Sequence, residues 1–290
     1  MQDLEWLKAL LLQRMPAPGK YATAIEGFAL SRRDTAGSVE YSFYKPSAGL
    51  IVQGEKRALV GSTEVIHREG QCFAVSLDMP GICFISEASG KAPFLAVTLD
   101  LDTYLVSRLA SQACPPGGDA PATGTGVVAA EADAPLLDAF FRLTELSGRQ
   151  DGGFLAGLVI QEISYRLLTG PLGMHIRKFF MPGTRGNQVA QAVSWIRTHF
   201  MQPLRVEELA RSVNMGTSTF HKYFKEITTL SPLQYHKRLR LYEAQRLMLA
   251  EDMDAVGASL AVGYESPSQF NREYKKLFGE PPRRDIMRRR

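Results

Sequence analysis

The sequence predicts an α+β chain of two domains. A β-rich N-terminal barrel or sandwich with flanking helices precedes an all-α domain of two helix-turn-helix units. Three observations carry this reading. Between about residues 20 and 102, short apolar runs alternate with turn-forming pieces. Between Leu204 and Pro282, one unit of helix, tight turn and helix is written twice. Charge is divided as well: residues 185–290 hold 18 Lys+Arg against 11 Asp+Glu, and residues 1–184 hold 16 against 19. At 290 residues two cores are expected, because single cores stop growing near that size.

The strand region contains Leu50-Ile51-Val52, Cys72 to Leu77, Ile82 to Ile85 and Phe94 to Leu99. Punctuation falls at Lys45 to Gly49, Arg68-Glu69-Gly70, Asp78 to Gly81 and Ser89-Gly90-Lys91, so about seven strands are expected. A small barrel of this kind has room for one ligand. Candidate polar contacts are Tyr44, Gln53, Lys56 and His67, each with a plainer reading as a strand aromatic, a hairpin residue or a satisfied core histidine. Ser111 to Gly126, rich in Pro, Gly, Ala and Thr, reads as a surface loop that exposes Cys114. Helices then resume, with stripes at Leu136, Phe140, Leu143 and Ser147 and at Leu155, Leu158, Val159, Glu162, Ile163 and Leu167. Such helices pack on the barrel or pair with a second subunit. Phe179 to Gly186 reads as a hinge, giving domains 1–180 and 187–290.

In the first C-terminal unit Val206, Leu209, Ala210 and Val213 make one helical stripe, and Asn214-Met215-Gly216 breaks it. The second helix starts at Thr217, with Phe220, Phe224 and Ile227 on one face and Ser218, His221, Lys222 and Lys225 largely elsewhere. The second unit repeats the pattern with Ala255, Ala258 and Val262, a turn at Gly263, and a helix signalled by Ser266 as cap, Pro267 in its first turn and Gly279 past its end. Pro232 to Ala250 would join the units as one helix about 28 Å long. Major-groove faces on one side of B-DNA recur about every 34 Å, so one chain can present two reading helices to neighbouring turns.

At these residues the chain resembles the AraC/XylS family of bacterial transcription regulators. The carrying segments are Phe220 to Lys225, Leu230 to Tyr235, Arg238 to Leu241, Val262 to Phe270, Arg272-Glu273-Tyr274 and Phe278-Gly279. Farther upstream, Tyr44-Lys45-Pro46, Val52-Gln53-Gly54, Lys56, Gly61 and Asp78-Met79-Pro80 resemble a subgroup with a cupin-like, jelly-roll N-terminal sensor. The resemblance implies that Ser218, His221, Lys222, Gln269 and Arg272 face base edges, with Lys225, Asn271, Lys275 and Lys276 placed for phosphates. It also implies dimerisation through the middle helices, and partners comprising double-stranded promoter DNA, RNA polymerase, a small-molecule effector and a second copy of the chain. Three positions depart from the family pattern. Gly216 stands where Ser usually caps, Thr229 where Gly often ends the helix, and Gly257 with Ser259 interrupts an apolar helix, which is expected to be marginal until packed.

Other classes fit less well. Of five histidines only His67 lies in the strand region, too few for a metal-dependent cupin enzyme, so neither metal nor cofactor is expected. No phosphate loop or nucleophile elbow is written, and no catalytic residue is assigned. An enzyme with a basic tail and an RNA-binding or architectural protein remain the alternatives. No run approaches the roughly 18 apolar residues of a membrane helix. Asp3 and Glu5 precede the short run Ala9 to Leu12, the wrong charge order for a secretion signal, so a cytoplasmic location is expected. Cys72, Cys83 and Cys114 suit a reducing compartment, the first two as small core residues.

Overall fold

In a computed structural model, which describes residues 2–37, 39–60, 63–113, 125–149 and 152–289, the chain divides into two compact units, Met1–Ala190 and Gln191–Arg290. Gly61, Cys114 and Arg290 lie outside the described residues, as do residues 114–124 of the loop assigned to Ser111–Gly126, whereas Ser111 to Ala113 prove to be the last residues of a helix.

The first unit opens with helix α1 (Gln2–Arg14), which buries Leu7 and Leu11. Nine strands follow: β1 (Gly19–Ala22), β2 (Phe28–Arg33), β3 (Val39–Tyr44), β4 (Ser47–Gln53), β5 (Glu55–Val60), β6 (Thr63–Arg68), β7 (Gln71–Val75), β8 (Met79–Glu87) and β9 (Phe94–Asp100). Helix α2 (Thr103–Ala113) and a tenth strand, β10 (Val127–Glu131), complete the β-rich part. The strands form two antiparallel sheets, one ordered β1-β2-β9-β4-β7-β10 and the other β3-β8-β5-β6. Ile51, Phe73, Val75, Phe94 and Ala96 from the first sheet meet Val60, Met79 and Ile85 from the second in one core. This is the expected jelly-roll class, with more strands than the sequence announces.

Two glycines explain part of the difference. Gly49 and Gly81 read as turn formers, yet both lie inside strands. A Cβ on Gly49 would stand 2.5 Å from the Phe73 ring and 2.4 Å from the Val97 carbonyl oxygen, and one on Gly81 would stand 2.6 Å from the Tyr44 ring. Each glycine is there because another group approaches closely, and the strand continues through it.

Helices α3 (Ala134–Leu146), α4 (Gly152–Thr169) and α5 (Gly173–Phe180) follow. Asp133 caps α3, accepting from the Leu136 N–H at 3.0 Å, and Leu136, Phe140 and Leu143 are buried as their spacing predicts. The α4 stripe divides: Val159, Ile163 and Leu167 are buried, whereas Leu155 and Leu158 are exposed. The reason is that adjacent positions on a helix turn about 100° apart, so one apolar row can hold two faces. The segment read as a hinge holds the last two residues of α5, a four-residue turn and the first two residues of α6 (Arg185–Thr198). Phe179 and Phe180 are buried in α5, and the turn between the helices is tied by hydrogen bonds from Thr184 Oγ1 to the Met181 carbonyl (2.9 Å) and from Asn187 Nδ2 to the Phe179 carbonyl (3.0 Å).

The second unit contains α7 (Val206–Ser212), α8 (Thr217–Thr228), α9 (Pro232–Ala250), α10 (Ala255–Ala261), α11 (Pro267–Phe278) and α12 (Pro282–Arg289). Helix α9 carries a full capping box, Ser231 with Gln234, and packs against α8, α10, α11 and α12. Thr229 adopts the left-handed conformation at φ 65°, where its branched Cβ is strained, and Gly279 takes the matching position in the second unit without that cost. Thr229→Gly is therefore expected to stabilise the C-terminal unit by about 0.5–1 kcal/mol, net of the added freedom of the unfolded chain, read as a raised urea midpoint. Helix α10 is short and holds Gly257, but Asp254 caps it by accepting from the Gly257 N–H at 2.6 Å.

Candidate nucleic-acid interface and barrel cavity

Both helix-turn-helix units close their turns in the same way. After α7, Asn214 turns left-handed (φ 56°) and the Met215 N–H donates to the Ala210 carbonyl at 2.9 Å; after α10, Gly263 does so (φ 84°) and the Tyr264 N–H donates to the Ser259 carbonyl at 2.9 Å. Asn and Gly are the residues that tolerate this conformation. From these residues to the caps of the next helices, Gly216 and Ser266, the second turn is one residue longer.

Helices α8 and α11 bury aromatic spines. Phe220 packs on Phe224 at 5.3 Å between ring centroids, and Phe224 meets Tyr235 of α9 edge-on at 5.6 Å. In α11, Phe270, Tyr274 and Phe278 form the corresponding row. With the spines inward, Ser218, His221, Lys222 and Lys225 on α8 are exposed, as are Gln269, Asn271, Arg272, Lys275 and Lys276 on α11. The ion pairs of this unit fall elsewhere, at Arg205–Glu208, Lys237–Glu273, Arg246–Glu243, Arg246–Glu251 and Asp285 with Arg288 and Arg289. Among the described residues Lys222, Lys225, Arg272, Lys275 and Lys276 thus carry positive charge outside any ion pair. Such a face suits a polyanion.

Gln269 is already engaged. Its Nε2 donates to Glu273 Oε1 at 3.1 Å, which also pairs with Lys237 Nζ at 2.9 Å, while Glu273 Oε2 accepts from the Tyr264 hydroxyl at 2.8 Å. Partial burial alone would raise the Glu273 pKa; donation from Lys237, Gln269 and Tyr264 outweighs it and holds the carboxyl below its usual range. Two further groups escaped the sequence reading. Arg240 donates to the carbonyls of Phe200 (2.6 Å), Met201, Gln202 and Gly263 (each 3.0 Å), satisfying chain that leaves the end of α6 and fixing the turn before α11. Asp285 of α12, fully buried, accepts from Gln245 Nε2 at 2.6 Å and the Tyr274 hydroxyl at 2.9 Å. Helix α12 thereby orders much of the terminal basic segment, leaving Arg283 and Arg284 exposed.

In the barrel, three of the four candidate contacts converge. Lys56 Nζ lies 5.4 Å from the Tyr44 ring centroid and 5.6 Å from that of Phe73, and the His67 ring lies 5.2 Å from Phe73. Burial and the neighbouring Lys56 charge push the His67 pKa down to about 3, so the imidazole is neutral near pH 7. Gln53 takes another role, donating to the Pro93 carbonyl at 2.6 Å. Burial pushes the Cys72 thiol up to about 12, which makes it inert. Among the described residues no three of His, Cys, Asp and Glu cluster so as to hold a metal ion, and no helix is long and apolar enough to cross a membrane.

A two-sheet barrel and a pair of helix-turn-helix units in one chain define the architecture of a DNA-binding regulator. Residues 24–175 match the AraC-type transcriptional regulator N-terminus and residues 209–288 a helix-turn-helix domain, and the chain belongs to the AraC-type transcriptional regulators. It is 25% identical to the HTH-type transcriptional regulator GbdR of Pseudomonas aeruginosa over 49% of this chain and 39% of GbdR. Identity is 26% to ExsA of the same species, over 55% of this chain and 57% of ExsA, so the match spans less than two thirds of either relative. The fold resembles that of ToxT from Vibrio cholerae, with a TM-score of 0.60 at 9% identity over 90% of this chain and 98% of that one. A ToxT structure with an unsaturated fatty acid bound gives 0.59 at 10% identity, over 93% and 97%.

Proposed function

We propose that the chain is a sequence-specific regulator of transcription that grips double-stranded promoter DNA with α8 and α11 and answers to a small-molecule effector held in the N-terminal barrel. The observation that carries this reading is the pair of exposed polar and basic helix faces, each backed by a buried aromatic spine and both packed on α9. Ser218, His221, Lys222, Gln269 and Arg272 are its base-facing residues, and Lys225, Asn271, Lys275 and Lys276 its phosphate contacts. RNA polymerase is the partner through which the bound regulator alters transcription in the cytoplasm. The fatty acid bound by ToxT, which shares this fold, supports an effector in the barrel. An effector shifts DNA affinity only by binding one arrangement of the protein better than another.

Arg272→Ala is expected to cost about 1–3 kcal/mol on the preferred site and to relax base preference there. Lys275→Ala should weaken all sequences alike and flatten the salt dependence. Mobility-shift titrations at several salt concentrations separate the two; equal, sequence-blind losses would remove Arg272 from base reading.

A homodimer is part of the same proposal. Phe154, Leu155, Leu158 and Tyr165 are exposed along α4, with Phe154 at 82%, an apolar row in which solvent replaces the packing that Val159 and Ile163 enjoy. Leu158→Glu is expected to move the protein from dimer to monomer in sedimentation equilibrium. A wild-type monomer at micromolar concentration would remove this element.

A further inference from the structure

One pair of side chains on α11 has no counterpart on α8. Counted from Phe270 and Phe220, Gln269 and Glu273 stand where the first unit has Thr219 and Tyr223. The other charged residues of α11, Arg272, Lys275 and Lys276, are all positive, so a carboxylate among them opposes phosphates unless it has a task of its own. Glu273 is held from two further elements: Lys237 of α9 donates to Oε1 at 2.9 Å, and Tyr264, in the turn before α11, donates to Oε2 at 2.8 Å. Tyr264 is fixed in turn, edge-on to Phe270 at 5.4 Å and 5.9 Å from the Arg240 guanidinium.

Gln269 Nε2 donates to the same Oε1 at 3.1 Å. An ionised carboxylate only accepts, so the Gln269 amide can face it only through its amino group. Flipped, the amide would set one acceptor against another. In water that difference is small, because solvent satisfies either orientation; where a bound duplex excludes water, it decides between them. Gln269 is left with one N–H and with Oε1, which makes no hydrogen bond among the described residues. One acceptor beside one donor complements adenine, whose major-groove edge offers an N6 hydrogen and N7. Guanine shows two acceptors there and would need the hydrogen that Glu273 holds.

We propose that Glu273 is a positioning residue that fixes the sense of the Gln269 amide, so that α11 reads an adenine in the major groove. This rests on the reading of Gln269 as base-facing and names the base that it meets.

The test uses duplexes selected from a randomised pool by the full-length protein, resynthesised with each base pair at every position and titrated in mobility shifts. Gln269→Ala should flatten the preference at one position, where wild type favours A·T at least tenfold over G·C. Glu273→Met should lower that preference at least threefold at the same position. It should also bind an unrelated duplex more tightly, because a negative charge has left the interface. Combined with Gln269→Ala, it should change no base preference further. Tyr264→Phe, which keeps the ring and removes one hydroxyl, should lower the same preference at least twofold and serves as the milder variant. A preference for G·C at the Gln269 position, an unchanged preference in Glu273→Met, or an equal effect of Glu273→Met without Gln269 would each overturn the proposal. So would weaker binding to the unrelated duplex in both Glu273→Met and Tyr264→Phe, since a damaged helix weakens every sequence. If Gln269→Ala alters no position, the base-facing reading of Gln269 fails and the proposal with it; if it alters one and Glu273→Met does not, that reading stands and the positioning role falls.

Discussion

Asp285→Ala is expected to destabilise the C-terminal unit by about 3–5 kcal/mol, the range for removing one partner of a buried charged network. The carboxylate is fully buried and receives the Gln245 amide, the Tyr274 hydroxyl, Arg289 at 2.8 Å and Arg288 at 3.2 Å. Without it, the amide and the hydroxyl remain in the interior unsatisfied, and α12 loses its tie to α9 and α11. Burial on its own would raise the Asp285 pKa, and hydrogen bonds from Arg289, Tyr274 and Gln245 outweigh it, so the folded value lies below the unfolded one. A lowered folded pKa contributes stability that is fully present above the unfolded value and is lost as pH falls through the folded one. Urea denaturation should therefore show the full difference between wild type and variant at pH 7, narrowing below about pH 4. A difference independent of pH would mean that the carboxyl acts through packing alone.

Arg240→Met should cost about 2–4 kcal/mol in the same unit, because hydrogen bonds from a charged donor contribute more than neutral ones and four carbonyls lose theirs together. Met keeps most of the stem, so the loss isolates the guanidinium. Arg240→Lys should recover less than half, since one ammonium cannot reach four acceptors held in a fork-like spread. The Gly263 carbonyl is among those released, so the turn leading into α11 loosens. On DNA the expected result is a footprint shortened at the end contacted by α11, with the α8 end retained. A variant as stable as wild type would show that water replaces the guanidinium at no cost.

The helical half was legible wherever a local signal determines a local structure. Ser266, Pro267 and Gly279 each punctuate α11 at the positions their chemistry demands, and the spacing of Phe220, Phe224 and Ile227 sets the buried face of α8 without knowledge of any neighbour. Strand-rich sequence gives less, since its glycines answer to partners distant in the chain: Gly49 to Phe73, Gly81 to Tyr44. β10 escaped for the same reason, because Val127 to Glu131 becomes a strand by pairing with β7, more than fifty residues earlier. Leu155 and Val159 look alike in sequence and differ only in what packs against them. In the candidate interface, residue type and helical phase were readable. Arg240, Glu273 and Asp285 were not, since each takes at least one partner 36 to 40 positions away.

The Glu273 cluster bears on the entropy of engagement. Free glutamine side chains populate many rotamers, and fixing one costs on the order of 1 kcal/mol or more. Gln269 is biased toward one pose by its hydrogen bond to a carboxylate that Lys237 and Tyr264 hold in turn. Part of its ordering cost is met during folding, and whatever it meets afterwards is recognised by a side chain whose search is already narrowed.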